Sequence, residues 1–383
     1  MTASTADSKA QGRVLAVSGS TLFVFNAGQT FVVDVDDAGT VSPGDLVRVA
    51  ARRVVLRIPG PGQWPPDGRH PAADLAGLLN GRLARLQRRS LLLQKTRGWF
   101  TARGFTEVET PLIVPSPGTE THLDPVAVRW TPHPGAQPTD AWLITSPEYA
   151  MKRLLVAGAG PIFQLGRVFR DGERGGRHRP EFTMLEWYRP WVDDGYESLF
   201  ADCEDLLTTL AGANHVAWGG KRFELKPPWP RITFFDALRE RADIAHPRDL
   251  GPEVWLTALV ERVEPTLGAE HPEFLTEWPI ELASLSRRSA TDPAVSERFE
   301  LYLGQLELAN AFAELTDADE QRARCMADNA ERTALGRPPL PLDERFLGAL
   351  AAGMPPSTGI ALGFDRLVMI LTDAATIDEV SAF

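Results

Sequence analysis

A chain of 383 residues with 43% hydrophobic and 24% charged content can bury one large core and a small extra module. Its formal net charge of −11 argues against a broadly basic nucleic-acid surface, although a local basic patch would still serve. No run approaches the roughly 20 apolar residues of a membrane span, residues 1–5 have no signal-peptide core, and Cys203 and Cys325 are too few for a zinc site or a disulfide framework, which points to a reducing cytoplasm.

In chain order, residues 13–17, 21–25, 30–35 and 46–57 read as short strands rich in valine and phenylalanine, with turn residues such as Ser18, Gly19 and Ser20 between them. They predict a small β-barrel-like module over residues 1–60, in the manner of a shortened oligonucleotide-binding fold. Phe23, Phe25 and Phe31 read either as stacking platforms or as core, and Asp34, Asp36 and Asp37 count against a nucleic-acid face. Residues 61–78, rich in proline and glycine, read as a stiff linker, which leaves residues 79–383 as one large domain. It opens on a helix-like stretch over 83–103, a break at Gly104 and a strand over 105–110 ending at Pro111. Leu86, Leu93 and Phe100 recur at heptad spacing, so Arg82, Arg85, Arg88, Arg89 and Lys95 read as the solvated side of a packed helix or as a basic patch.

Further along, Ser146, Pro147 and Glu148 read as a helix start, with a serine cap, a first-turn proline and a glutamate near the positive end. Residues 163–188 read as a long-looped hairpin: a strand ending in Val168, Phe169 and Arg170, a loop carrying Arg174, Arg177 and Arg179, and a return strand over 182–188. Alternation sets Phe182, Met184, Glu186 and Tyr188 on one face, where a ring could stack on adenine while acids hold an amine. An exposed hairpin with a charged loop is the plainer reading. Residues 212–275, with helical patches at 235–242 and 254–263, read as an insertion packed on the core.

Gly304 and Gln305 suit a two-residue turn. In that register Tyr302 faces Glu307 and Glu300 lies diagonal to Glu307, a pair suited to magnesium on a nucleotide's phosphates or else to a solvated edge. Simple alternation puts Asn310 and Glu314 on the face opposite Glu307, and gathering all four needs a bulge that the sequence does not announce. Finally, residues 359–367 alternate small and apolar side chains. Gly359, Ala361 and Gly363 fall on one face of a strand, Ile360 and Leu362 on the other, and Arg366 enters a first helical turn, where a phosphate is favoured.

Together these segments resemble the three signature motifs of class II aminoacyl-tRNA synthetases, in the lysine branch. Motif one matches the stretch over 83–111, motif two residues 169–188 and motif three residues 359–366. The longest matching wording runs through Thr145, Ser146, Pro147, Glu148 and Tyr149, residues 151–158, residues 180–190, and Glu307, Leu308, Ala309 and Asn310. It is similar to the elongation factor P (R)-β-lysine ligase family, which Ala361 also favours, since lysyl-tRNA synthetases generally carry glycine there. The resemblance implies an α+β fold, an antiparallel sheet flanked by helices, and a two-step reaction using ATP and Mg2+ in a cytoplasmic homodimer.

The resemblance also implies roles. Arg170 would hold the α-phosphate and the substrate carboxylate, Arg366 the γ-phosphate, and His178 the outer phosphates, with Phe182 stacked on adenine and Gly363 beside the nucleotide. Glu300 and Glu307 would hold the metal. Glu148 would bind the backbone or β-amino group, Tyr188 and Glu314 the distant ammonium, with Ser146, Asn310 and Ala361 shaping the rest. One departure is Gly172, where the family generally has a glutamate that helps read the nucleotide; Glu173 follows one step later. The leading reading is transfer of lysine or β-lysine to elongation factor P. The alternatives are a compact lysyl-tRNA synthetase acting on tRNA, and a non-catalytic binding or sensor protein, which would have predicted erosion of Arg170, Arg366, Glu300 or Glu307.

Overall fold

The computed structural model describes residues 10–66, 68, 73–75, 77–192 and 195–383; the expected absence of a leader at residues 1–5 and part of the expected linker lie outside them. The chain forms two compact units, one running to Leu91 and including Asp378–Phe383, the other Leu92–Ile377.

The first unit contains five strands, β1 (Ala10–Ser18), β2 (Thr21–Asn26), β3 (Gln29–Asp34), β4 (Leu46–Ala50) and β5 (Arg53–Ile58), in the order β3-β2-β1-β4-β5. All pairs are antiparallel, and inward valines with Leu22 form the core. Among the described residues β3 and β5 do not pair, so the module is an open sheet and the barrel does not close. The expected strand over 46–57 is two strands, because Ala51 (φ 47°) and Arg52 (φ 60°) turn the chain between them. Left-handed pairs suit hairpin twist, but neither residue is a turn former, so the local sequence carried no signal for it. Phe31 packs against the core, while Phe23 and Phe25 are half-buried.

Helix α1 (Leu83–Ala102) buries Leu92, Thr96, Trp99 and Phe100, an i, i+4, i+7, i+8 seam. That corrects the heptad reading, since Leu86 and Leu93 remain half-buried. After it come β6 (Thr106–Glu107), a small sheet of β7 (Ile113–Val114), β8 (Ala127–Trp130) and β9 (Thr139–Leu143), then α2 (Glu148–Val156), β10 (Ile162–Phe169), β11 (Glu181–Pro190) and α3 (Glu197–Ala211). The strand expected over 105–110 is short because Thr110 N leaves the ladder to donate to Gln164 Oε1. A hairpin of β12 (His215–Trp218) and β13 (Lys221–Glu224) precedes β14 (Arg231–Thr233), α4 (Phe234–Arg241), α5 (Pro252–Ala258) and β15 (Glu273–Pro279). Phe234, Phe235, Leu238, Trp255 and Trp278 give this region a core of its own, in keeping with a packed insertion.

The remaining elements are β16 (Val295–Leu303), β17 (Leu306–Ala313), α6 (Ala318–Ala334), α7 (Glu344–Ala352), β18 (Ser357–Gly363) and α8 (Phe364–Leu371). The large sheet runs β14-β15-β16-β17-β18-β11-β10-β6, antiparallel except at its two ends, where β14/β15 and β10/β6 are parallel. Its register sets the site. Glu300, Asn310, Ala361, Glu186 and Gln164 form one row across five strands, and Arg298, Phe312, Gly359, Tyr188 and Ile162 form the next. Side chains in such rows share a face of the pleat.

The β16/β17 hairpin corrects the alternation argument. Gly304 (φ 60°) and Gln305 (φ 64°) make the expected two-residue turn. Tyr302 then pairs with Glu307 but Leu301 pairs with Ala309, so Leu308 is an extra residue. This bulge rephases β17, bringing Glu307 and Asn310 onto the face that carries Glu300 and Tyr302.

Candidate active site

The sheet face holds two adjoining regions. The first is a cavity of about 250 Å3 lined by Arg170, Glu173, His178, Phe182, Glu307, Ala361, Gly363 and Arg366, among others. Arg366 lies in the first turn of α8, directly after β18, and donates to Glu307 O at 2.7 Å while contacting His178 Nε2 at 2.6 Å. Burial, and then the Arg366 charge, lower the His178 pKa, so the ring is neutral at pH 7 and its nitrogen accepts from the guanidinium. Arg170 sits 5.2 Å above the Phe182 ring and 3.7 Å from Glu173. Its Nε is buried without a hydrogen-bond partner, a donor held ready for a ligand. Gly172 turns the loop at φ 73° and brings Glu173 to the cavity wall.

For a magnesium ion, the donor set fits. Magnesium is commonly held by one or two carboxylates with phosphate oxygens completing its shell, and Glu300 and Glu307 share one face, with Glu307 lining the cavity. Burial, then the Glu307 charge, raise Glu300 to about 7. Arg298 (2.6 Å) and the Tyr302 hydroxyl (2.6 Å) steady its two oxygens. Arg298 also donates to Asn310 Oδ1 at 3.3 Å, so it ties the metal-side row together. Among the described residues no cluster of three metal-binding side chains occurs.

The second region is acidic. Contrary to expectation, the cap position of α2 belongs to Pro147 and not to Ser146, whose hydroxyl accepts from Glu148 N at 3.0 Å and donates to Glu186 Oε1 at 2.7 Å. The Tyr188 hydroxyl donates to Glu186 Oε2 at 3.2 Å. Burial and then the Glu148 charge push Glu186 up to about 8. Lys152 Nζ lies 2.5 Å from both Glu148 Oε1 and Glu314 Oε2. Glu314 is almost fully buried and its Oε1 has no partner. Ala361 stands between Glu186 and Asn310, at the seam between the two regions.

The residues given nucleotide, metal or amino acid roles in the sequence reading lie on this face or at its rim. Lys152, Arg298 and Arg332 were not among them, and Glu186 entered only through the alternation that groups it with Phe182, Met184 and Tyr188. Lys152 had a visible signal, lying four residues after Glu148 on one helix. Arg332 had none: from α6 it reaches Glu120 O and Leu123 O at 3.1 and 3.0 Å and Asp124 at 3.1 Å, and Asp124 O in turn accepts from Asp171 N at 2.7 Å. It anchors the loop behind the motif-two turn.

A model of the family described as tRNA synthetases class II (D, K and N) matches residues 79–383. The chain belongs to that family. Residues 79–383 are accordingly the class II synthetase-type domain of an aminoacyl ligase, and the N-terminal sheet lies outside the match. Two curated relatives are each 40% identical, over 322 and 325 residues, covering 82% of this chain and 96% of their own length. They are the proteins of Proteus mirabilis (strain HI4320) and Haemophilus influenzae (strain PittGG), and both are named elongation factor P--(R)-beta-lysine ligase.

Proposed function

We propose that this protein activates lysine or β-lysine with ATP and transfers it to a lysine side chain of elongation factor P. The observation that carries the reading is the pairing, on one sheet face, of a phosphate-type cavity bearing Arg170, His178 and Arg366 with an acidic recess bearing Glu148, Tyr188 and Glu314. The names of the two relatives support the acceptor.

In the first step the amino acid carboxylate oxygen attacks the α-phosphorus of ATP, and the bond to the departing pyrophosphate breaks. Such chemistry needs in-line placement and charge neutralisation more than a protein nucleophile. Arg170 bridges the α-phosphate and the carboxylate, while Arg366 and neutral His178 hold the outer phosphates. Phe182 stacks on adenine, with Glu173 and Gly363 beside the nucleotide. Magnesium, held by Glu300 and Glu307, supplies charge neutralisation for the phosphates. Glu148 takes the nearer amino group, and Glu314 with Tyr188 the distant one. In the second step the acceptor lysine's amine attacks the adenylate carbonyl, AMP leaves, and the amine's proton passes to solvent. A cytoplasmic homodimer belongs to the same reading.

A lysyl-tRNA synthetase is the second reading, and the five-stranded sheet outside the family match is the observation in its favour. The deciding experiment offers elongation factor P and total tRNA together with ATP, magnesium and labelled lysine or β-lysine. Base-stable label on the protein supports the proposal. Base-labile label on tRNA would replace it.

A further inference from the structure

One buried charge plays no part in the chemistry above. Lys152 has a fully buried side chain, and its ammonium is shared between Glu148 on its own helix and Glu314 beyond β17, at 2.5 Å from each. A buried ammonium is ordinarily costly. Burial does oppose its charge, but Glu148 and Glu314 outweigh it and hold the pKa above the usual lysine value. Burial, with the Glu148 charge beside it, likewise pushes Glu314 up to about 8 while the ammonium, 2.5 Å from its Oε2, draws it back.

The geometry is directional. Lys152 hydrogen-bonds Glu148 Oε1 and forms an ion pair with Glu314 Oε2, while Glu314 Oε1 is left buried and unpartnered beside Gly359 and Tyr188. The two bound oxygens are no more than twice 2.5 Å apart, because one nitrogen touches both. Without that nitrogen, two like charges at this distance would repel, and one would take up a proton.

We propose that Lys152 is a positioning residue for substrate selection: it clamps Glu148 and Glu314 at a fixed separation, so that their remaining oxygens accept the two amino groups of a diamino acid. This rests on the proposed activity and deepens it, for it makes recognition of two amines a property of the clamp. A monoamino acid of equal length leaves Glu314 Oε1 buried and unsatisfied, which is the stronger form of discrimination.

The test is ATP–pyrophosphate exchange by the full chain with lysine, β-lysine and 2-aminohexanoate, which lacks the distal amine. The wild-type protein must first show exchange with one of the diamino acids; if it does not, the proposed function fails before Lys152 is in question. In Lys152→Met, KM for the diamino acid is expected to rise about 30-fold and its preference over 2-aminohexanoate to fall, with kcat and the KM for ATP within about threefold. Lys152→Arg, which keeps the charge, should recover part of the preference. An unchanged amino acid KM, or equal losses for ATP and amino acid, would overturn the inference. Should Lys152→Met not fold, the wild-type protein still decides. With 15N-lysine labelling, the Lys152 ammonium signal should shift on adding the diamino acid and not on adding ATP, and a signal indifferent to the amino acid would overturn the proposal.

Discussion

Gly359 lies so close to Tyr188 that a β-carbon on the glycine would stand 2.2 Å from Tyr188 Cε1, and 2.3 Å from Glu314 Oε1. Neither neighbour can yield, since Tyr188 and Glu314 are both buried within the sheet face. Gly359→Ala is therefore expected to close the acidic recess. It should raise the amino acid KM by about 100-fold or more, or abolish exchange, while ATP binding by calorimetry stays near wild type. Normal amino acid affinity in this variant would show that the recess is not the amino acid site.

Arg170 and Arg366 enter the proposed nucleotide cavity from separate elements, the end of β10 and the first turn of α8. Arg170→Ala and Arg366→Ala should each lower ATP–pyrophosphate exchange by about 100-fold or more, as removal of one preorganised charge contact typically does. Far-UV circular dichroism should be unchanged. Retained exchange in either variant contradicts the role given to that arginine.

Ala361 pairs with Glu186 on one side and Asn310 on the other. Its methyl group lines the cavity at the seam with the acidic recess, so under the proposed function Ala361→Gly should alter the α-lysine to β-lysine ratio of kcat/KM by about tenfold, the usual weight of one small apolar group. A constant ratio would place the choice of amino acid elsewhere.

The Glu186 carboxyl, pushed by burial and then by Glu148 from 4.5 to about 8, keeps a proton in the folded protein that the unfolded chain has already released. Folding stability therefore falls as pH rises from 4.5 towards about 8, by up to about 1.4 kcal/mol per pH unit from this group. Glu186→Gln removes that slope. Its melting temperature relative to wild type should climb across this window and level off above it; a difference that does not vary with pH would argue against a protonated Glu186.

Much of the site was legible from local pattern. Alternation over residues 182–188 grouped Phe182, Met184, Glu186 and Tyr188, and the glycine-alanine face of residues 359–363 was read as one strand face, because strand period and side-chain size are written in consecutive residues. The turn at Gly304 and Gln305 was legible for the same reason. The turn at Ala51 and Arg52 was not, since ordinary residues there adopt left-handed backbone for the sake of the two strands they join.

The shared face of residues 182–188, the small-residue face of residues 359–363 and the turn at Gly304 and Gln305 thus follow from residue identity and short-range periodicity, and the α+β class from the family resemblance those segments carry. Which charges meet does not. Glu307 and Asn310 share a face with Glu300 only because one extra residue at Leu308 rephases β17, and Lys152 reaches Glu314 only because α2 packs near the end of that strand. Both depend on register between distant segments, where a shift of one residue reverses every side chain and a buried ammonium finds or loses its partners.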